Sequence, residues 1–140
     1  MDFIEEAFLE YEERVSYMND GSKIPLIKTK ESVDKITLLI KDLYFLKLRN
    51  RRSYPLNILL HLLNKNFKFN GFNIEIEEIL FNSETKKHST TVRITIKNDG
   101  TFVTGTSTSE TSVKKSITLA IKICILYEFE KLYNNYINNQ

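Results

Sequence analysis

Apolar and polar side chains alternate in the middle of the chain, and this period of two predicts a β-strand. Ile74 and Ile76 lie on one face of that strand, separated by a polar residue. The alternation slips by one position after Glu77-Glu78 and resumes at Ile79 and Phe81. A slip of this kind predicts a β-bulge or a strong bend at the two glutamates.

Two more strands are predicted downstream, joined by a tight turn. Val92, Ile94 and Ile96 alternate with threonine and arginine, which indicates a second strand with one apolar face. Asn98-Asp99-Gly100 is typical of a β-hairpin turn, and a third strand follows over about residues 101–107. The sequence therefore predicts three consecutive antiparallel strands.

Apolar residues spaced three and four apart predict helices on both sides of the strands. The stripe in the first helix must pack either on the rest of the chain or on a partner. The helix before the strands opens at Ser53-Tyr54-Pro55, where proline fits a first helical turn. The predicted helices cover about residues 2–18, 30–48, 55–66 and 112–136.

This order of elements predicts an α+β fold. Residues 53–140 are expected to form a two-layer α-β-β-β-α domain, in which two helices cover one face of a three-stranded antiparallel sheet. Residues 1–50 are expected to form an N-terminal helical extension of two helices.

Composition is that of a folded domain: among 140 residues, 41% are hydrophobic and 27% charged, with a formal net charge of +2. Cys124 is the single cysteine, so no disulfide can form within the chain, and its apolar surroundings predict a buried thiol. No signal-like or membrane-length apolar segment is seen, so we expect a cytoplasmic, intracellular protein.

A basic cluster closes the second predicted helix. Cations in a last helical turn complement the helix dipole, so the cluster is either a solvated helix end or a patch that contacts phosphates. Its members are Lys47, Arg49, Arg51 and Arg52.

From Pro55 onward the chain resembles the double-stranded RNA-binding domain family, over roughly residues 53–132. The resemblance rests on the leucine-rich helix PLNILLHLLNK, the histidine before the second strand in HSTTVRI, the hairpin, and the lysine pair that opens the last helix. It implies recognition of duplex RNA by shape, because A-form RNA exposes 2′-hydroxyls and phosphates in its minor groove.

The resemblance also implies an RNA-binding surface with three parts. Residues of the first helix and of the loop before the second strand would enter successive minor grooves, and the lysine pair would bridge the phosphates between them. The implied contact residues are Asn57, His61 and Asn64, then Lys86, Lys87 and His88, then Lys114 and Lys115.

Each of these side chains also has a structural interpretation. His88 is equally consistent with bracing its loop, and His61 with a partly buried position on a leucine-rich helix. The lysine pair opposes the helix dipole, which favours an anionic partner there. Tyr127 and the aromatic residues after it are consistent with a core or a self-association face.

No phosphate loop, zinc spacing or nucleophile motif is present in the sequence, so we expect a non-enzyme without metal or cofactor. Two functions remain open. One is binding of structured or double-stranded RNA. The other is a protein-interaction module, such as a dimerising adaptor or a viral or phage counter-defence inhibitor of a nucleic-acid-processing complex. The second would keep the fold without the RNA surface, since Thr85-Lys86-Lys87 replaces the family's Gly-Pro before the histidine.

Overall fold

The computed structural model describes residues 3–5, 7, 25–49, 54–68, 70–109 and 111–140. Residues 3–5 and 7 are helical, and Ile4 and Ala7 are buried in the hydrophobic core. The remainder of the helix predicted over residues 2–18 lies outside the described residues.

The elements follow the predicted order and confirm an α+β fold with helices before the sheet. Cys124–Glu128 is a single π-helical turn that joins the last two α-helices. Residues 113–138 therefore form one continuous helix, which we call the helical rod. The elements are α1 (Lys30–Arg49), α2 (Leu56–Phe67), β1 (Phe72–Asn82), β2 (Lys87–Ile96), β3 (Phe102–Ser109), α3 (Val113–Ile123) and α4 (Phe129–Asn138).

The sheet has the order β1-β2-β3 with antiparallel neighbours. Its register shifts between Ile76 and Glu78, so Glu77 is the extra residue of a bulge, as the slip in alternation predicted. Gly100 has a φ of +80° in the turn between β2 and β3, a conformation that glycine adopts without steric cost. Both irregularities are therefore encoded locally in the sequence.

One face of the sheet is buried against the helical rod. Ile76, Val92 and Ile94 are at most 1% exposed, and α3 lies over β2 and β3. Gly105 in β3 is opposite Val92, where a Cβ atom would lie 2.9 Å from Cys124 Sγ. The absence of a side chain at this position lets the helix approach the strand closely.

The second half of the rod packs on the other helices. Phe129 stacks on Phe67 of α2 with ring centroids 5.8 Å apart. Ile36 and Leu39 of α1 are completely buried in the same hydrophobic cluster as the sheet residues. Among the described residues, no helix is long and apolar enough to cross a membrane.

Asp99 in the β2–β3 turn ties the start of α1 to the sheet. Its carboxylate accepts hydrogen bonds from Thr29 Oγ1 and Ser32 Oγ, each at 2.6 Å, and from Thr101 N at 2.8 Å. Burial alone would raise the pKa of Asp99, but the hydrogen bonds from Ser32, Thr29 and Thr101 outweigh it and lower the pKa to about 2. The ionised carboxylate therefore holds together parts of the chain about seventy residues apart.

Candidate nucleic-acid interface

A buried network of hydroxyl groups fixes the start of α3 on the sheet. Ser116 Oγ lies 2.7 Å from Thr90 Oγ1 and 3.1 Å from the carbonyl oxygen of His88. Ser107 Oγ in turn donates a hydrogen bond to the carbonyl oxygen of Ser116. Because Ser116 contacts both β2 and β3, the first turn of α3 has a defined position relative to the ends of these strands.

The first turn of α3 carries two lysines and no acidic residue. Ser112 caps it, its Oγ accepting a hydrogen bond from Lys115 N at 3.0 Å. The side chains of Lys114 and Lys115 are exposed. Cations at a helix N-terminus are disfavoured by the dipole, and the same terminus attracts anions. An anion near this turn would interact favourably with both the lysines and the dipole.

The turn between β1 and β2 brings further lysines to the same end of the sheet. Asn82 Oδ1 accepts hydrogen bonds from the backbone N–H groups of Glu84 and Thr85, and its carbonyl oxygen accepts one from Lys86 N. Lys86 has a φ of +58°, a left-handed conformation that closes the turn. Lys87 then opens β2 opposite Asn82. The turn therefore has a fixed shape that determines where Lys87 lies.

Two open depressions adjoin here and share Lys87 and Thr108; we call them together the lysine groove. The smaller, of about 390 Å³, is lined by Lys87, Thr108, Ser109, Thr111, Lys115 and Leu119. The larger, of about 800 Å³, is lined by Leu80, Phe81, Asn82, Ser83, Glu84, Thr85, Lys87, Ser89 and Thr108.

The lysine groove combines cations and hydroxyl groups. It brings together Lys87 and Lys115, two of the residues singled out in the sequence, from elements that are distant along the chain. Its larger depression also has a carboxylate, that of Glu84. Lysines together with hydroxyl donors are the groups that contact phosphate oxygens in nucleic-acid complexes. The groove therefore has the chemistry to hold a phosphate backbone.

Phe81 continues the face of Ile79, as the alternation predicted, and yet it is exposed. It pairs with His88, two positions along from the pair formed by Ile79 and the buried Thr90, and so shares their face. Its side chain is nevertheless 57% exposed, because α3 lies over β2 and β3 and leaves the end of β1 uncovered.

The remaining residues of the predicted surface lie elsewhere. Asn57, His61 and Asn64 are exposed on α2, and none of them lines the lysine groove. His88 is half-buried beside Phe81, with ring centroids 4.8 Å apart. Of the predicted surface, the groove thus takes Lys87 and Lys115, while neither Lys86 nor Lys114 lines it and α2 contributes nothing to it.

The basic cluster at the end of α1 is partly engaged within the molecule. Lys47 Nζ donates a hydrogen bond to the carbonyl oxygen of Leu126 at 3.2 Å, lies 3.7 Å from Glu130 Oε2, and is 5.2 Å from the centre of the Tyr127 ring. Arg49 is exposed, while Arg51 and Arg52 lie outside the described residues. Lys47 therefore stabilises the π-helical turn, and its charge is already partly compensated.

Cys124 is a buried residue of the helix–sheet interface. Burial raises the pKa of its thiol far above the usual range, so the thiol stays protonated, and Sγ donates to the carbonyl oxygen of Val92 at 3.5 Å. In the part of the chain that the structure describes, no three histidine, cysteine, aspartate or glutamate side chains are grouped for metal binding.

Phe81 and Thr108 are two of the groove-lining residues that the sequence did not single out as contact residues. Phe81 follows Leu80 directly, so two large apolar residues close the strand where strict alternation would place one. That doubling is a sequence signal for an aromatic side chain left at the surface. Thr108 carried no such signal, since it is one of many threonines in its segment.

The family model of the Rad52/22 family double-strand break repair protein matches residues 50–140 of this chain. No curated protein matches this chain. The match covers almost all of the segment assigned by resemblance to the double-stranded RNA-binding domains, and it shows that this assignment is wrong. The assignment failed because an α-β-β-β-α order and a lysine pair at a helix start are compatible with more than one fold family.

Proposed function

The chain belongs to the Rad52/22 family of double-strand break repair proteins, and from this membership we propose that it is a non-catalytic protein that binds single-stranded DNA in the lysine groove. Proteins of this family bind single-stranded DNA and anneal it. The observation that carries the proposal is the convergence of Lys87 and Lys115 on one depression lined with hydroxyl groups.

The shape of the groove favours a single strand over a duplex. It is an open channel at one end of a small sheet, bounded by a tight turn and by the first turn of a helix. A flexible single strand can follow an irregular surface at low energetic cost, whereas a duplex is stiff over many base pairs. Annealing requires only that strands be held and released, so no catalytic group is needed for the proposed role.

Self-association belongs to the same proposal, because members of the family oligomerise. Leu38, Phe45 and Leu48 fall within about 80° of one another on α1, and each is more than half exposed. A stripe of this kind is a common interaction surface. Neighbouring copies that join in a ring or row would place several lysine grooves along one strand.

The test is the affinity for a labelled oligo-dT strand, measured by fluorescence anisotropy over a series of salt concentrations. The double variant Lys87→Ala, Lys115→Ala should bind about ten- to thirty-fold more weakly at low salt, at about 1 kcal/mol for each lysine–phosphate contact. The slope of log affinity against log salt should fall by about 0.7 for each lysine, or about 1.4 for both.

The matched control is Lys30→Ala, Lys41→Ala, which removes the same charge from exposed positions on α1. It should change affinity by less than threefold, since these lysines lie outside the groove. Sedimentation of every variant separates loss of a phosphate contact from a change in assembly. The proposal is refuted if the wild-type chain binds no single strand at low salt, or if the groove and control variants lose affinity equally.

A further inference from the structure

Leu80 is an exposed apolar side chain on the face of the sheet that α3 does not cover. The register aligns Leu80 with Ser89 and Ser89 with Thr108, so these three side chains share one face. The adjacent residue Thr90 points to the other face, where its hydroxyl group contacts Ser116 of α3. Leu80 is 56% exposed and lines the larger depression of the lysine groove together with Ser89 and Thr108.

Lys87 lies on the same face as Leu80, one aligned pair further along the strands. It is aligned with Asn82, two positions from the pair of Leu80 and Ser89, so Leu80 and Lys87 are diagonal neighbours. Diagonal neighbours on one face of an antiparallel pair are about 7–8 Å apart, a distance that long side chains bridge. Both residues line the larger depression. A ligand held there by Lys87 would therefore also lie against Leu80.

The charges along the lysine groove determine which part of a nucleotide lies at Leu80. The groups that suit a phosphate run from Lys87 past Thr108 to Lys115, in the smaller depression. Leu80 and Glu84 line only the larger depression. The carboxylate of Glu84 repels a phosphate, and the side chain of Leu80 offers it no hydrogen bond. Phosphates held on the side of Lys115 would therefore leave an uncharged part of the nucleotide next to Leu80.

The sugar is the uncharged part whose chemistry matches a leucine side chain. It is bonded directly to the phosphate, and in DNA its C2′ atom is an apolar methylene group. A branched aliphatic side chain has no flat surface on which a base could stack, but its methyl groups pack well against such a methylene. Ribose carries a hydroxyl group at the same atom, and a hydroxyl group buried against methyl groups loses its hydrogen bonds to water.

We propose that Leu80 packs on the sugar next to the phosphate held by Lys87, so that the lysine groove prefers deoxyribose to ribose. The inference rests on the proposed function and adds a sugar-contacting residue to it. The 2′ position is what distinguishes the two nucleic acids at a protein contact of this kind. Because the contact does not involve the bases, the preference for DNA holds for strands of the same base sequence.

The experiment measures the affinity for oligo-dU and oligo-rU, two labelled strands of equal length that differ only at the 2′ position. The wild type should bind oligo-dU about 5- to 150-fold more tightly, the range expected for burial of one hydroxyl group without a partner. Leu80→Ser should reduce this ratio to less than about threefold, because serine can hydrogen-bond the 2′-hydroxyl. Leu80→Val should keep the ratio, and neither variant should change the salt slope, because no charge is removed.

The matched control is Leu26→Ser, which makes the same substitution at a leucine that is 61% exposed in the segment before α1. It should leave both affinities unchanged. If the wild type binds the two strands equally, or Leu80→Ser keeps the wild-type ratio, while the lysine variants are weakened, the sugar inference is overturned and the proposed function stands. If the wild-type chain binds no single strand at all, both are overturned.

Discussion

Gly105→Ala should destabilise the fold although alanine is the better residue in most extended segments. A Cβ atom at this position would lie 2.9 Å from Cys124 Sγ, 3.1 Å from the carbonyl oxygen of Ala120 and 3.1 Å from Cys124 N. Two of these neighbours are backbone atoms of the helical rod, which can give way only if the rod lifts from the sheet.

Two opposing contributions determine the size of the effect. Overpacking of a close interface costs about 1–3 kcal/mol. Replacing glycine with alanine stabilises by about 0.4–1 kcal/mol, because the unfolded chain has fewer conformations. The difference of these ranges runs from about 0 to 2.6 kcal/mol, and because two of the close neighbours are backbone atoms we expect a net loss in the free energy of unfolding of about 1–2 kcal/mol. For a chain of this size it corresponds to a decrease of roughly 3–10 °C in Tm.

The assay is urea unfolding followed by circular dichroism, with calorimetry for Tm. Thr108→Ala, exposed on the other face of the same strand, is the matched control and should cost about 0.5 kcal/mol or less. Adding Cys124→Ala to Gly105→Ala should recover part of the loss, because the 2.9 Å contact disappears while the backbone contacts remain. A Gly105→Ala protein as stable as the wild type would refute the reasoning.

Two further predictions concern hydrogen bonds between distant segments. Asp99→Asn should lower the free energy of unfolding by about 1 kcal/mol at neutral pH, a figure reduced for solvent screening of a partly exposed carboxylate. Because the folded-state pKa of Asp99 is depressed from 3.8 to about 2, this difference should be lost as pH falls from about 4 to 2; urea unfolding across that range checks it, and a pH-independent difference would contradict it. Ser116→Ala should cost about 1–3 kcal/mol by leaving Thr90 Oγ1 and a carbonyl oxygen without their buried partner. Thermal unfolding checks this against Thr118→Ala, whose hydroxyl contacts only its own helix, and equal losses in the two variants would count against the network.

Local patterns in the sequence were sufficient for the order of helices and strands and for the irregularities of the sheet. The slip after Glu77 predicted the bulge, and Asn98-Asp99-Gly100 predicted the hairpin, because each feature depends on a few adjacent residues. The π-helical turn at Cys124–Glu128 was not predicted, since its apolar sequence has no glycine or proline to mark it. The bonds of Asp99 to the start of α1 were equally out of reach, because they join distant segments.

The candidate site was predictable only in part. Lys87 and Lys115 were singled out for their charge and their positions at the starts of elements, and the structure brings them into one groove. Periodicity shows which face of an element is buried, but it does not show where a helix ends over a sheet. For that reason the alternation gave the face of Phe81 but not its exposure. The family assignment failed for a related reason, since element order leaves the packing of layers undetermined.

The π-helical turn gives the helical rod two angular phases. An α-helix advances about 100° per residue, so a turn that accommodates one extra residue rotates everything after it by about that angle. Ile117 and Ile121 are buried in the sheet half of the rod, whereas Phe129 is directed to Phe67 of α2. Deleting one residue between Cys124 and Glu128 would let the turn close as regular α-helix and leave Phe129 directed to Phe67, because the π-helical turn holds one residue in excess. In this segment, then, the helical rod should tolerate a one-residue deletion that an uninterrupted α-helix would not.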